Sequence, residues 1–401
     1  MTGTAVARAG TDGRFQGVEA LEANHVAAVR WVAGVHAFGR FNDIRPLVDG
    51  LDGTAFQSPN WLSCWLEIFG NDPGIECFLL TISDENQKIA LALPVLRRRD
   101  GGVRVIEMID LGVSDYCAPL LNRRLAARLP QAPALWDLLL SAMPEADLLR
   151  LERQCPFIQD LPNPLFAHPR ALPNRLAGWR MPLPDTWDAY QATLSDSMRE
   201  KLARNGRRFA KAPETGVASL EAVDSALDAF VELERMQEER IQEKGLDYHL
   251  NCPRIAAFYR RLIECGLPRG ETIMVALHGG GETVAVNFAV RSGAEAMLLR
   301  VTNRFGDWAR MTPGLLATEF TIRDAQARGV RFFDFGMGTY DYKRRFGAKE
   351  KPLMDLVLPL SPRGWPKALL WHTQYRLSRS PLLRRLTGRT VDAPPREKPE
   401  G

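Results

Sequence analysis

Residues 331–347 read RFFDFGMGTYDYKRRFG, an apolar strand-like run with a carboxylate, Asp334, inside it. Two glycines, Gly336 and Gly338, break the run, and Tyr340, Tyr342, Lys343, Arg344 and Arg345 follow at once. A buried strand reads as a nearly continuous apolar stretch, and an ionised carboxylate there is costly unless it is paired. The cations on offer a few residues on are Lys343, Arg344 and Arg345. A charge beside a glycine break at a strand end marks a candidate working site. The alternative is a structural Asp–Lys pair that fixes the turn.

Three further stretches could do chemistry. The expected helix 196–211 carries Arg199, Lys201, Arg204, Arg207, Arg208 and Lys211 around much of its circumference. Such a helix can clamp phosphates or a polyanion. It also suits a solvated surface helix, with Glu234, Glu238 and Glu239 of the next helix as natural partners. Arg310-Met-Thr-Pro-Gly-Leu-Leu316 joins a strand to a helix. Backbone N–H groups at that helix start, with Gly314 allowing close approach and Arg310 nearby, suit a pyrophosphate. The tail helix expected over 365–386 mixes Trp365, Trp371, Tyr375, Leu382 and Leu383 with Arg376, Arg379, Arg384 and Arg385. It fits an anionic membrane surface, or a helix docked on the body with its basic residues outward.

The elements that must position these residues fall into two similar runs. Strands are expected at 75–82, 88–96 and 103–111, then a helix at 134–142 and a strand at 148–151. Strands at 272–277, 283–290 and 295–301, a helix at 312–328 and a strand at 331–335 repeat that order. Gly279-Gly-Gly281 and Ser292-Gly-Ala294 supply hairpin turns. Ser58 and Thr312 are the expected helix N-caps, each followed by proline at the first helical position, and Gly329 lies just past the second helix. A proline-rich connection, 156–184, separates the runs and excludes regular helix. Helices at 185–193, 196–211, 222–243 and 252–265 follow it. The reading is an α/β (α+β) chain with a poorly ordered segment at 1–45, halves at 46–184 and 185–362, and a basic tail at 363–401.

The 401 residues are too many for one ordinary core. No apolar run is long enough to span a bilayer, and the first thirty residues lack the pattern of a secretory signal. The six cysteines are scattered without a C-x-x-C pair, which predicts buried free thiols, a cytoplasmic setting and no metal. Net charge is +4, but residues 363–401 hold nine Lys/Arg against three Asp/Glu, leaving −2 for the other 362. The body is therefore not built as a whole for nucleic acid.

Val284-Ala-Val-Asn-Phe288, Thr312-Pro-Gly-Leu-Leu-Ala317, Phe333-Asp-Phe-Gly-Met-Gly338 and Tyr342-Lys-Arg-Arg-Phe346 together resemble the GNAT-type acyltransferases of the BioF2-like/CelD (cellulose-biosynthesis-associated) group, related to FemAB-type aminoacyl transferases. Phe56-Gln-Ser-Pro-Asn-Trp61 and the Arg-rich helix fit the same group, so the resemblance spans roughly 50–360. The usual acyl-CoA signature survives only in degraded form, as Arg310 to Leu316.

The resemblance implies two tandem GNAT-like domains, each a mixed twisted sheet flanked by helices, with strands 295–301 and 331–335 splayed to admit a pantetheine arm. It implies acetyl-CoA or another acyl-CoA as co-substrate, held by Leu299, Val301, Arg310, Pro313, Gly314, Leu315 and Leu316. Asp334 would be the base or would orient it, Tyr342 the acid, and Lys343 the partner of Asp334 or of an anionic substrate group. Asn287, Gly336, Tyr340, Arg344, Arg204 and Arg208 would line the acceptor side. The acceptor would be a small molecule, a sugar or a polysaccharide precursor of the envelope or an exopolysaccharide. Two alternatives stand beside this: an aminoacyl transferase that uses tRNA, and a non-catalytic accessory subunit of a polysaccharide synthase. A peripheral contact with the membrane's inner face or with a synthase would run through 363–390.

Overall fold

A computed structural model describes residues 29–244, 252–338 and 340–379. The calls made on 1–28, and on the tail helix beyond 379, lie outside the described residues.

The first half runs β1 (Val32–Phe38), α1 (Phe41–Val48), α2 (Pro59–Phe69), β2 (Glu76–Ser83), β3 (Ile89–Asp100), β4 (Val103–Met108), α3 (Ala134–Ser141) and β5 (Leu148–Gln154). The connection supplies β6 (Gly178–Pro182), and α4 (Trp187–Thr193) and α5 (Asp196–Ala210) follow. The second half runs β7 (Gly216–Ser219), α6 (Val223–Lys244), α7 (Pro253–Gly266), β8 (Thr272–Gly279), β9 (Glu282–Ser292), β10 (Glu295–Asn303), α8 (Pro313–Ala327) and β11 (Phe332–Met337). The chain ends with α9 (Asp341–Arg345), β12 (Lys349–Lys351), β13 (Met354–Pro359) and α10 (Trp365–Arg379).

Each half thus has the order β-α-α-β-β-β-α-β. The sequence reading missed the opening strand of each. For β1 the cause is its broken apolar alternation, Val-Ala-Gly-Val-His-Ala-Phe. Seven residues of β1 pair antiparallel with β2, so residues 32–45 are regular structure, not loose chain.

Local signals account for many element ends. Ser58 accepts from the Trp61 N–H with Pro59 next, and Ser195 caps α5 by accepting from Met198 N–H. Gly280 and Gly281 both take positive φ, as a two-residue turn between β8 and β9 requires.

The halves do not part where the sequence divides them. One sheet has the order β1-β2-β3-β4-β5-β13 and the other β7-β8-β9-β10-β11-β6-β12. The first half's connection therefore donates β6 to the second sheet, and the end of the second half returns β13 to the first. Boundaries at 184 and 362 cut through this exchange. The largest apolar core also spans both halves. Trp61 and Phe258 meet edge to face at 4.9 Å, and Phe56 stacks edge-on to Trp61 at 4.8 Å and to Tyr116 at 5.8 Å. Of the cysteines, Cys252 is exposed and Cys265 half-buried, while the other four are buried as expected.

Residues 1–184 produced alone will lack β13 and leave the Leu148–Leu151 edge unpaired. They are expected to show no cooperative thermal transition by circular dichroism, and co-production with 185–401 is expected to restore one.

Candidate functional site

Strands β10 and β11 run parallel for three residue pairs, Glu295 with Phe332, Ala296 with Phe333 and Met297 with Asp334, and then separate. On its other side β10 stays paired with β9 to Asn303, with a bulge at Leu299 between the Leu298 and Arg300 pairings. The groups that would continue the ladder on the β11 side are already engaged. Gly336 N–H donates to Asp334 Oδ1 and Met337 N–H to Asp115 Oδ2, both at 2.8 Å. The Gly336 and Met337 carbonyls accept from Lys343 Nζ, at 3.2 and 2.6 Å. Across the opening, the Val301 carbonyl accepts from Gln237 Nε2 at 3.1 Å. Side chains thus satisfy part of the backbone where the strands separate, as buried peptide groups demand.

Asp334 is fully buried. The sequence offers Lys343 and its neighbours as partners, but the structure supplies others. Lys351 Nζ pairs with Asp334 Oδ2 at 2.5 Å, and Tyr116 Oη donates to Oδ1 at 2.8 Å. Lys351 also lies 3.6 Å from the centre of the Tyr116 ring. Lys351 arrives on β12, which pairs with β6, itself the neighbour of β11. Close packing here admits only glycine at two points. A Cβ at Gly178 would sit 2.3 Å from Tyr116 Oη, and one at Gly336 2.3 Å from Asp115 Oδ2.

Lys343 is 1% exposed, and burial pulls its ammonium down to about 8, against the opposing fields of Asp115 and Asp334. Burial raises the Asp115 carboxyl and pushes Tyr116 and Tyr342 well above the usual phenol range. Burial likewise raises Glu295, which pairs with Arg180 at 3.0 Å.

At the expected phosphate turn, Thr312 does not cap α8 with its side chain. It adopts a left-handed conformation, φ 47°, and its hydroxyl accepts from Asn205 Nδ2 at 2.8 Å. The Leu315 and Leu316 N–H groups donate to the Thr312 carbonyl. A Cβ at Gly314 would lie 2.7 Å from Asn303 Oδ1. Two of the amides expected for the diphosphate are therefore spent inside the turn. Pro313 and Leu316 are buried, Leu315 is half-buried and Arg310 is exposed. Leu299 and Val301 are half-buried on β10.

The other named residues scatter. Asn287 is fully buried and donates to Thr318 and Thr321 of α8, under the helix rather than in an opening. Tyr340 is 62% exposed, near Tyr342 with ring centres 6.2 Å apart. Arg344 is exposed beside the Trp179 ring. Arg204 and Arg208 are exposed on α5, which buries Leu202, Asn205 and Phe209 beside the α8 start. Of the six cations, Lys201, Arg204, Arg208 and Lys211 follow in steps of three and four residues and form a stripe, while Arg207 lies beside it and Arg199, paired with Asp196, on another side. The glutamates expected to neutralise them are engaged elsewhere: Glu234 with Arg260, Glu239 with Arg235 and Glu238 with Gln242.

Sequence reasoning missed Asp115, Tyr116, Lys351, Gln237 and Asn205. The first two had a usable signal, since Asp115-Tyr116 follows strand β4 and Gly112 much as the Asp334 cluster adjoins β11.

Residues 196–344 match the acetyltransferase (GNAT) domain. Among solved structures, FemX covers 84% of this chain and 99% of its own at 10% identity, with a TM-score of 0.53. The C-terminal domain of a putative lysylphosphatidylglycerol synthetase from Agrobacterium fabrum gives 0.44 at 11% identity, covering 78% of this chain and 91% of its own. A tandem GNAT protein from the clavulanic acid biosynthesis pathway gives 0.42 at 14%, covering 82% and 99%. At these identities the likeness to FemX concerns fold alone, and the two lower scores carry no argument. Curated proteins give no match. The fold is α/β: two units that share one order of elements, each a mixed sheet flanked by helices, with the acetyltransferase-domain match falling on the second.

Two measurements probe the buried charges. Asp334→Asn leaves Lys351 buried without its counter-ion and is expected to cost about 3–5 kcal/mol in urea unfolding, most of it recovered in Asp334→Asn/Lys351→Met. Lys343 holds its proton less tightly when folded (about 8) than its ordinary value of 10.5. The unfolded chain therefore binds more protons between those values, and folding stability rises with pH across that window by roughly 3 kcal/mol from this group. Lys343→Met is expected to remove that rise, seen as the difference between the two proteins' stability–pH curves.

Proposed function

We propose that this protein is an acyltransferase moving an acyl group, acetyl in the simplest case, from acyl-CoA to an amine or hydroxyl of a sugar or polysaccharide precursor. The observation that carries the reading is the built-in opening between β10 and β11, within the segment that matches the acetyltransferase domain. An opening held at its edge by side chains stays formed and can receive an extended arm without first breaking a ladder. The Leu299 bulge re-aims the β10 backbone beside it.

The proton roles follow from burial. Asp334 accepts from Lys351, Tyr116 and the Gly336 N–H, so its oxygens are committed to holding these three groups together. We therefore assign Asp334 to holding the β11 end. Tyr342 is too weak an acid for a thiolate whose conjugate thiol has a pKa of about 8.5. Lys343, at about 8, matches that thiolate and is the better candidate to protonate it. The phosphates would lean on Arg310 and the α5 cations, since the turn has spent Leu315 and Leu316 N–H internally.

The α5 stripe favours a second reading, in which the donor is an aminoacyl-tRNA. Lys201, Arg204, Arg208 and Lys211 form a row beside the α8 start, and the neighbouring glutamates do not neutralise it.

Titration calorimetry with acetyl-CoA at low and moderate salt separates the readings. Binding with a shallow salt dependence, weakened at least about tenfold in a folded Gly314→Trp, is the expected result. With an identified acceptor, Lys343→Met should lower kcat about 100-fold. Absence of acetyl-CoA binding together with tRNA binding that falls steeply with salt would replace it with the second reading. Binding of neither would favour a non-catalytic accessory subunit.

A further inference from the structure

Helix α10 lies against the first sheet, and its two faces are sharply different. Its inner face is committed to the body. Ala368 is buried on Val105, Leu148 and Val357. Trp371 Nε1 donates to Glu152 at 3.2 Å, Tyr375 Oη donates to the Pro173 carbonyl at 2.8 Å, and Lys367 pairs with Asp100. The outer face carries Leu369, Leu370 and Leu377 at 67%, 56% and 51% exposure, with Trp365 at its edge at 60%. The sequence reading of a docked helix places basic residues outward; the structure places leucines there.

Isolated exposed leucines are ordinary, but four large apolar side chains on one face of one helix make a patch. The charge of the segment itself is one-sided. From Arg363 to Val391 the sequence has seven Lys/Arg and no Asp or Glu. Exposed Arg363 and Arg376 flank the patch, and Arg379 caps the Pro173 and Asn174 carbonyls.

We propose that the outer face of α10 rests on an anionic membrane surface, its leucines and Trp365 in the headgroup–acyl boundary and its arginines among lipid phosphates. A second copy of the chain is the poorer occupant. Two such faces brought together would oppose like charges, with no acidic residue in the segment to relieve them. A bilayer supplies both the apolar layer and the negative charge. Among the described residues no helix is long and apolar enough to cross a membrane, so the contact is one of lying on the surface. This inference does not depend on the acyltransferase reading.

Flotation of the full chain with vesicles tests it. The expected result is association with mixed phosphatidylcholine–phosphatidylglycerol vesicles at low salt, weaker at moderate salt, and none with phosphatidylcholine alone. Leu369→Asp/Leu370→Asp should reduce that association at least about tenfold, because two leucines that would enter the bilayer boundary are exchanged for charges repelled by the surface. The outward position of both residues predicts an unchanged melting curve. Failure of the wild type to float with anionic vesicles, or equal flotation of the variant, would overturn the proposal. So would light scattering that shows a dimer in solution which the variant dissolves.

Discussion

The Asp334 carboxylate, held by Lys351, Tyr116 and the Gly336 N–H, is the interaction on which the rest of the molecule depends. Its members come from distant parts of the chain. Asp334 lies on β11, Lys351 on β12 beyond the second half's helices, and Tyr116 on the segment after β4. A buried ion pair roughly breaks even against an apolar replacement, so stability alone does not explain it. Its yield is geometric. Three partners leave the carboxylate one arrangement, and that arrangement fixes where β11 stops pairing with β10.

A second layer of charge reinforces this. Asp115 takes the Met337 N–H, and Lys343 takes the carbonyls of Gly336 and Met337. Backbone groups at the point where the two strands separate are thereby engaged. The cost appears in the titration of these groups: burial raises Asp115 and lowers Lys343. Lys343, brought down to about 8, is the member of this layer able to trade a proton near neutrality, so one residue that holds the opening is also a candidate for chemistry in it.

The exchange of β6 and β13 ties the halves into one unit. Each half contributes a strand to the other's sheet, and α2, α6 and α7 share a core between them. Asp115 and Tyr116 can therefore be placed against β11 with side-chain accuracy although they belong to the first half. The α8 start shows the opposite economy. There the chain satisfies its own amides through Thr312, and nearby positive charge is left to side chains of α5 and Arg310.

Much of the fold was legible in the sequence because its signals are local. Ser58 before Pro59, the glycine run at 279–281 and the apolar runs of β2–β4 and β8–β10 each act within a few residues. The Asp334 anomaly was legible for the same reason, since a carboxylate in an apolar run is out of place wherever the run folds. What the sequence could not specify was the choice among partners. Lys343 is nearer in the chain, but the turn at Gly336 and Gly338 aims it at carbonyls, while Lys351 reaches the carboxylate because β12 aligns beside β6. The strand exchange, the left-handed Thr312 and the leucines facing out from α10 are decided in the same way. Each depends on which surfaces meet after the chain has closed on itself, and contact between residues far apart in sequence leaves no periodicity along it.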